Sequence, residues 1–109
     1  MPKYLIKASY TAEGLKGVLK EGGSGRKAAI QQLTESLGGT LEGFYFAFGD
    51  DDVYAIADLP DNKTAAAVAL TATASGAVRL STTVLLTPEE VDEATKQSVS
   101  YRAPGATGG

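Results

Sequence analysis

The chain has 109 residues, 43% of them hydrophobic and 21% charged, the composition of an ordinary single globular domain. Its net charge of −3 comes without a basic cluster, which argues against nucleic acid as a partner. It contains neither cysteine nor histidine. Disulfides, thiolate and imidazole metal sites, thiol nucleophiles and Ser-His-Asp chemistry are thereby excluded, and no cofactor or metal is expected.

Lys3 to Ser9 is rich in β-formers and is read as a first strand, entered directly from the N-terminus without a signal-peptide pattern. Thr11 is a plausible N-cap for a short helix that places Leu15, Val18 and Leu19 on one side. Gly22-Gly23-Ser24-Gly25 is expected to break that helix, and a second one from Arg26 to Leu37 ends at Gly38-Gly39. Thr40 to Phe48 and Asp52 to Asp58 form the next two strands, joined as a hairpin by Gly49-Asp50-Asp51. An alanine-rich helix capped by Asp61 or Asn62 runs through Ser75. A fourth strand spans Arg79 to Leu86, and Thr87-Pro88-Glu89-Glu90 is a strong start for a final helix to about Lys96. Residues 1–97 read as one domain and 98–109 as a flexible tail. No stretch reaches the roughly 20 apolar residues of a membrane span, so a cytoplasmic protein without a membrane partner is expected.

The order β-α-β-β-α-β is the ferredoxin-like plan: an α+β fold with one four-stranded antiparallel sheet, crossover helices on one face, and here a C-terminal helix added. Helices cover only one face, yet apolar side chains alternate onto both: Leu5 against Ile6, Tyr45 against Phe44 and Phe46, Val53 against Tyr54 and Ile56, Val84 against Leu85. A monomer would expose a large apolar patch unless the terminal helix folded back over it. The economical solution is a second copy packed sheet to sheet, a homodimer or a higher homo-oligomer. Leu5, Tyr45, Val53 and Val84 are the expected interface residues.

These residues resemble the GYD domain family, small bacterial and archaeal chains of largely unassigned function named for a Gly-x-Tyr-Asp hairpin after the second strand. The matching stretch is Gly49-Asp50-Asp51-Asp52 followed by Val53-Tyr54-Ala55-Ile56, with Asp51 standing where the tyrosine belongs. Thr11-Ala-Glu-Gly14-Leu-Lys16-Gly17, Leu37-Gly38-Gly39 and Gly76-Ala-Val78-Arg79 match in order and spacing, so the resemblance spans residues 3 to 97. It implies a fold similar to the dimeric α/β-barrel proteins, which often hold a small molecule between sheet and helices or inside the barrel.

Polar groups along the strands are the candidates to orient such a ligand: Lys7, Tyr10, Glu42, Tyr54 and Arg79. Arg26 and Lys27, after the glycine-rich segment at a helix start, are candidates for binding an anion. Asp50, Asp51 and Asp52 suit turn chemistry better than a metal, having no EF-hand spacing, and Gly49 and Asp52 are assigned to the structural turn. The expected function is an oligomeric module for assembly or for binding a small apolar molecule. The alternative is a cofactor-independent enzyme of isomerase or monooxygenase type, with Glu42, Asp52, Lys7 and the tyrosines as its acid-base candidates and no catalytic residue assigned.

Overall fold

The computed structural model describes residues 1–105. Its elements are β1 (Lys3–Tyr10), α1 (Ala12–Ser36), β2 (Thr40–Phe46), β3 (Val53–Asp58), α2 (Asn62–Ala74), β4 (Val78–Leu85) and α3 (Pro88–Thr95). The four strands form one antiparallel sheet in the order β2-β3-β1-β4, so β1 and β3 are central and β2 and β4 are edges. This is the α+β, ferredoxin-like arrangement, with α1 packed chiefly on β2 and α2 on β4.

Each helix start has its capping residue. The Thr11 side chain accepts from the Gly14 N–H, Asp61 from the Thr64 N–H, and Thr87 from the Glu90 N–H in a complete capping box. At the end of α1 the Gly38 N–H donates to the Glu35 carbonyl and the Gly39 N–H to the Thr34 carbonyl, both at 3.0 Å. Gly38 sits at φ 80°, the left-handed cap residue of a Schellman motif.

The glycine-rich segment is a kink rather than a four-residue break. Only Gly22 leaves helical geometry, at φ 80° and ψ 166°, and the helix resumes at Gly23. A single left-handed residue suffices to redirect the axis, and Gly23 to Gly25 tolerate helical angles at modest entropic cost. The redirected half crosses the end of β2 closely: a Cβ on Gly23 would stand 3.1 Å from the Phe46 ring. At the other end of α1, a Cβ on Gly14 would collide with the Ala77 carbonyl oxygen, which is what lets the helix start lie on the turn before β4.

Register decides which side chains face the helices. Tyr4, Ile6, Ala8 and Tyr10 of β1 share a face with Val53, Ala55 and Ala57 of β3, with Phe44 and Phe46 of β2, and with Val78, Leu80, Thr82 and Val84 of β4. Tyr4, at 1% exposure, is the largest buried side chain, and its hydroxyl donates to Asn62 Oδ1 at 2.6 Å. Burial, and then the nearby Asp61 charge, raise its pKa above the ordinary phenol value. The opposite face carries Leu5, Lys7, Tyr45, Tyr54, Ile56 and Leu85, and no helix covers it. α3 does not fold back over it, since every residue from Pro88 to Gly105 is exposed. The chain accordingly has a radius of gyration of 17.8 Å and extends 61 Å along its longest axis. A compact domain of this length would have a radius of about 13 Å.

Two expected interface residues are corrected by this register. Val53 is 4% exposed beneath the helices, and Val84, paired with Tyr4, also points to the helix side. Leu5 and Tyr45 do lie on the open face, joined there by Tyr54, Ile56 and Leu85. Residues 98–105 carry no regular secondary structure, and 106–109 of the expected tail lie outside the described residues.

Candidate functional site

The Ala-rich covered face leaves room above it. Ala8, Ala55 and Ala57 on the sheet and Ala72 of α2 line one space, which their short side chains do not fill. A cavity of about 110 Å³ results, bounded by Ile6, Phe44 and Leu80 from the strands, Ile30 and Leu33 from α1, and Val68 from α2. Among the described residues its only charged wall residue is Arg26.

Arg26 and Tyr10 also line a wider cleft of about 400 Å³, bounded by Glu13 and Glu21 of α1 and Ser75 after α2. The two residues therefore stand where cavity and cleft meet. The kink places Glu21 beside Arg26, with Nη1 3.7 Å from Glu21 Oε2, longer than a hydrogen bond. Arg26 Nε is buried and has no acceptor among the described residues. Lys27, the second expected anion-binding residue, is exposed and lines neither of these spaces.

The other expected ligand residues lie elsewhere. Lys7 is on the open face between Tyr54 of β3 and Ser81 of β4, its registered neighbours. Arg79 is exposed on the edge strand opposite Ser9. Glu42 sits at an irregularity of β2 and accepts from Lys3 Nζ, which also donates to Asp58 Oδ1 at 3.0 Å. The Glu42 hydrogen bond, and then that of Asp58, raise the Lys3 pKa above the ordinary ammonium value. Thus Lys7 and Tyr54 are brought together, Glu42 is tied into an ion-pair cluster, and Tyr10 alone of the five faces the cavity.

The hairpin aspartates do not converge on one point. Asp52 Oδ2 accepts from the Tyr10 N–H at 2.9 Å, while the Ser9 hydroxyl contacts Asp51 Oδ1 at 3.2 Å and the Asp50 carbonyl at 3.3 Å. They bind the β2–β3 loop to the end of β1, which orients Tyr10 at the cavity. Gly49 lies in that loop, with open space around it. Among the described residues no carboxylate lines the 110 Å³ cavity, so the acid-base candidates Glu42, Asp52 and Lys7 have no shared position in it from which to act on one ligand. The cavity itself carries no sequence motif; its only sequence trace is the density of alanine on facing elements.

No helix of the described residues is long and apolar enough to cross a membrane. No curated protein and no solved structure matches the chain. The family model described as "GYD domain" matches residues 4–95, from Tyr4 of the core through the end of α3, and so takes in the aspartate hairpin, the kinked helix and every wall of the cavity. The chain belongs to the GYD domain family.

Proposed function

We propose that the protein is a homo-oligomeric binding module for a small apolar molecule, held between the sheet and its helices, with two copies meeting through their open sheet faces. The observation that carries the reading is the apolar cavity of about 110 Å³ under α1 and α2, joined to a cleft through Tyr10 and Arg26. Such a space suits a ligand recognised by shape and by a few placed polar groups.

Association is supported by the open face. Tyr45 is 70% exposed and paired with Tyr54, which faces Lys7, and the same face carries Leu5, Ile56 and Leu85 alongside Lys3, Ser81 and Thr83. The arm from Leu86 through α3 to Tyr101 supports it too, because it extends Leu86, Val91, Val99 and Tyr101 into solvent instead of packing them at home. A second copy offers both surfaces a partner by one two-fold operation.

Native mass spectrometry of gently purified protein tests both halves at once. The expected spectrum shows a dimer or a multiple of dimers with an additional small mass per chain that leaves on mild activation. A monomer without any retained mass would contradict the reading.

A further inference from the structure

A second apolar surface lies apart from both the cavity and the open sheet face. Leu15 and Val18 of α1, with Phe46 and Phe48 at the end of β2, bound a groove of about 330 Å³ that Tyr10 and Asp52 also line. Phe48 is wholly exposed, and Leu19, one turn along from Leu15, is 86% exposed. Large apolar side chains gathered on a surface mark a place where another molecule sits. The groove's surroundings carry charge of both signs. Lys16 and Lys20 flank Leu15 and Leu19 on α1; Lys16 meets Glu13 at 3.2 Å, and Lys20 has no carboxylate partner among the described residues. Asp50 and Asp51 follow Phe48 in the hairpin loop. The arm after β4 has the matching character. It exposes Leu86, Val91, Val99 and Tyr101. Its α3 carries Glu89, Glu90, Asp92 and Glu93, none with a cationic partner among the described residues, and Lys96 and Arg102 follow. The arm's own groove lies at the wrong end of the sheet. Val78 of β4 pairs with Tyr10 and Leu85 with Lys3, so the arm departs roughly 25 Å of strand away from it. Pro88 confines Thr87 to extended backbone, at ψ 158°, and the two capping-box bonds, 2.9 and 3.1 Å, fix the entry into α3.

We propose that this groove receives the arm of a second copy, Val91, Val99 and Tyr101 lying against Leu15, Phe46 and Phe48, each copy giving one arm and receiving one. This rests on the association of two copies proposed above and adds which surfaces meet and in what orientation. Acidic α3 lies toward Lys16 and Lys20, and Lys96 and Arg102 toward Asp50 and Asp51, which sets the direction of the arm in the groove. Exposed ion pairs contribute little affinity, so the apolar contacts hold the arm and the charges select its direction. A two-fold axis that joins the open sheet faces with their strands antiparallel carries the Leu85 end of one copy to the Tyr10 end of the other. One operation therefore serves both contacts.

The chain has no cysteine, so introduced thiols report contacts directly. Full chains carrying Phe48→Cys are refolded together with isotope-labelled chains carrying Val91→Cys and treated with a short bismaleimide. Leu70→Cys, at an exposed position of α2, replaces Phe48→Cys as the control. The Phe48 mixture is expected to give a cross-link between a light and a heavy chain, and the control little. Phe48→Ser alters a side chain already exposed in the single copy, so it should leave folding intact and weaken association about tenfold or more in sedimentation. Lys20→Glu should weaken it a few-fold at low salt and leave it unchanged in about 1 M salt. Equal cross-linking from Leu70→Cys, or association unchanged in Phe48→Ser, would overturn the proposal. So would a link within one chain when both thiols are placed on it and it is diluted into unaltered protein, because the arm would then lie on its own copy. If dimers form without the cross-link, the arm assignment falls alone and the sheet contact stands. If the chain is monomeric at every concentration, the association reading falls with it.

Discussion

Where the helices lie on the sheet, the buried strand positions are mostly small: Ala8, Ala55, Ala57 and Val53, with Tyr4 the one large side chain fully enclosed. Where no helix lies, the same strands display Leu5, Tyr45, Tyr54, Ile56 and Leu85. A chain that had only to fold as a monomer would put its large apolar groups where its own helices could cover them. Fully burying one such side chain stabilises by about 1.5–3 kcal/mol, and here much of that is left unrealised within one copy. The small residues serve a different end, leaving a space between sheet and helices unfilled. The covered face thus makes a cavity, and the open face is the one proposed to meet a second copy. The same contrast divides the helices: α2 packs on β4, whereas α3 is capped just as well and is exposed along its whole length.

The sharpest way to break this comparison is to place one charge on each face. Ala55→Asp puts an unpaired carboxylate in the covered core and should cost about 4 kcal/mol, seen as loss of cooperative folding in urea. Tyr54→Asp, one position earlier on the open face, should leave the monomer folded and abolish association, read by light scattering. Equal damage from both would mean that the faces do not differ as described. Filling the cavity should have the opposite sign: Ala72→Leu, projecting from α2 into the space, is expected to stabilise by about 0.5–2 kcal/mol while excluding ligand, as thermal melting with and without xenon would show.

Smaller effects separate the two helices. The Thr64 backbone N–H, and then its hydroxyl, hold the Asp61 carboxyl below its ordinary pKa. A carboxyl depressed in the folded state contributes stability above its unfolded pKa and loses it as pH falls through the folded one, so the loss sets in below about pH 4. Asp61→Asn keeps an N-cap but cannot titrate, and should flatten that acid limb in melts taken from pH 5 downward. Thr87→Ala removes the equivalent cap of α3. Because α3 is exposed along its whole length, monomeric protein should lose a few residues of helical circular dichroism with no change in melting temperature.

The element order was legible because each local signal agreed with the global plan: caps at Thr11, Asp61 and Thr87, a glycine stop at Gly38, and a short hairpin between two β-rich runs. The position of Val53 and Val84 was not. Alternation shows that a strand has two faces, but only cross-strand register says which face of one strand joins which face of the next. Leu5 faces Ile56 and Thr83, so the odd positions of β1 go with the even ones of β3 and leave Val53 and Tyr54 on the sides they occupy. Arg26 was legible as an anion-binding candidate from the glycines before it, yet its place over an apolar cavity was not. That depends on a kink at Gly22 alone and on a void lined by alanines of other elements, Ala8, Ala55, Ala57 and Ala72. Lys7, Glu42 and Arg79 looked equivalent to Tyr10 in sequence because distance from the helices leaves no mark on a polar side chain.

Sedimentation equilibrium of the unaltered chain, followed over a wide concentration range, tests the central claim most directly. The account expects twice the 11.2 kDa chain mass, or a higher even multiple, persisting on dilution. A mass of one chain throughout would contradict it, because the open face and the exposed arm would then have nothing to cover them.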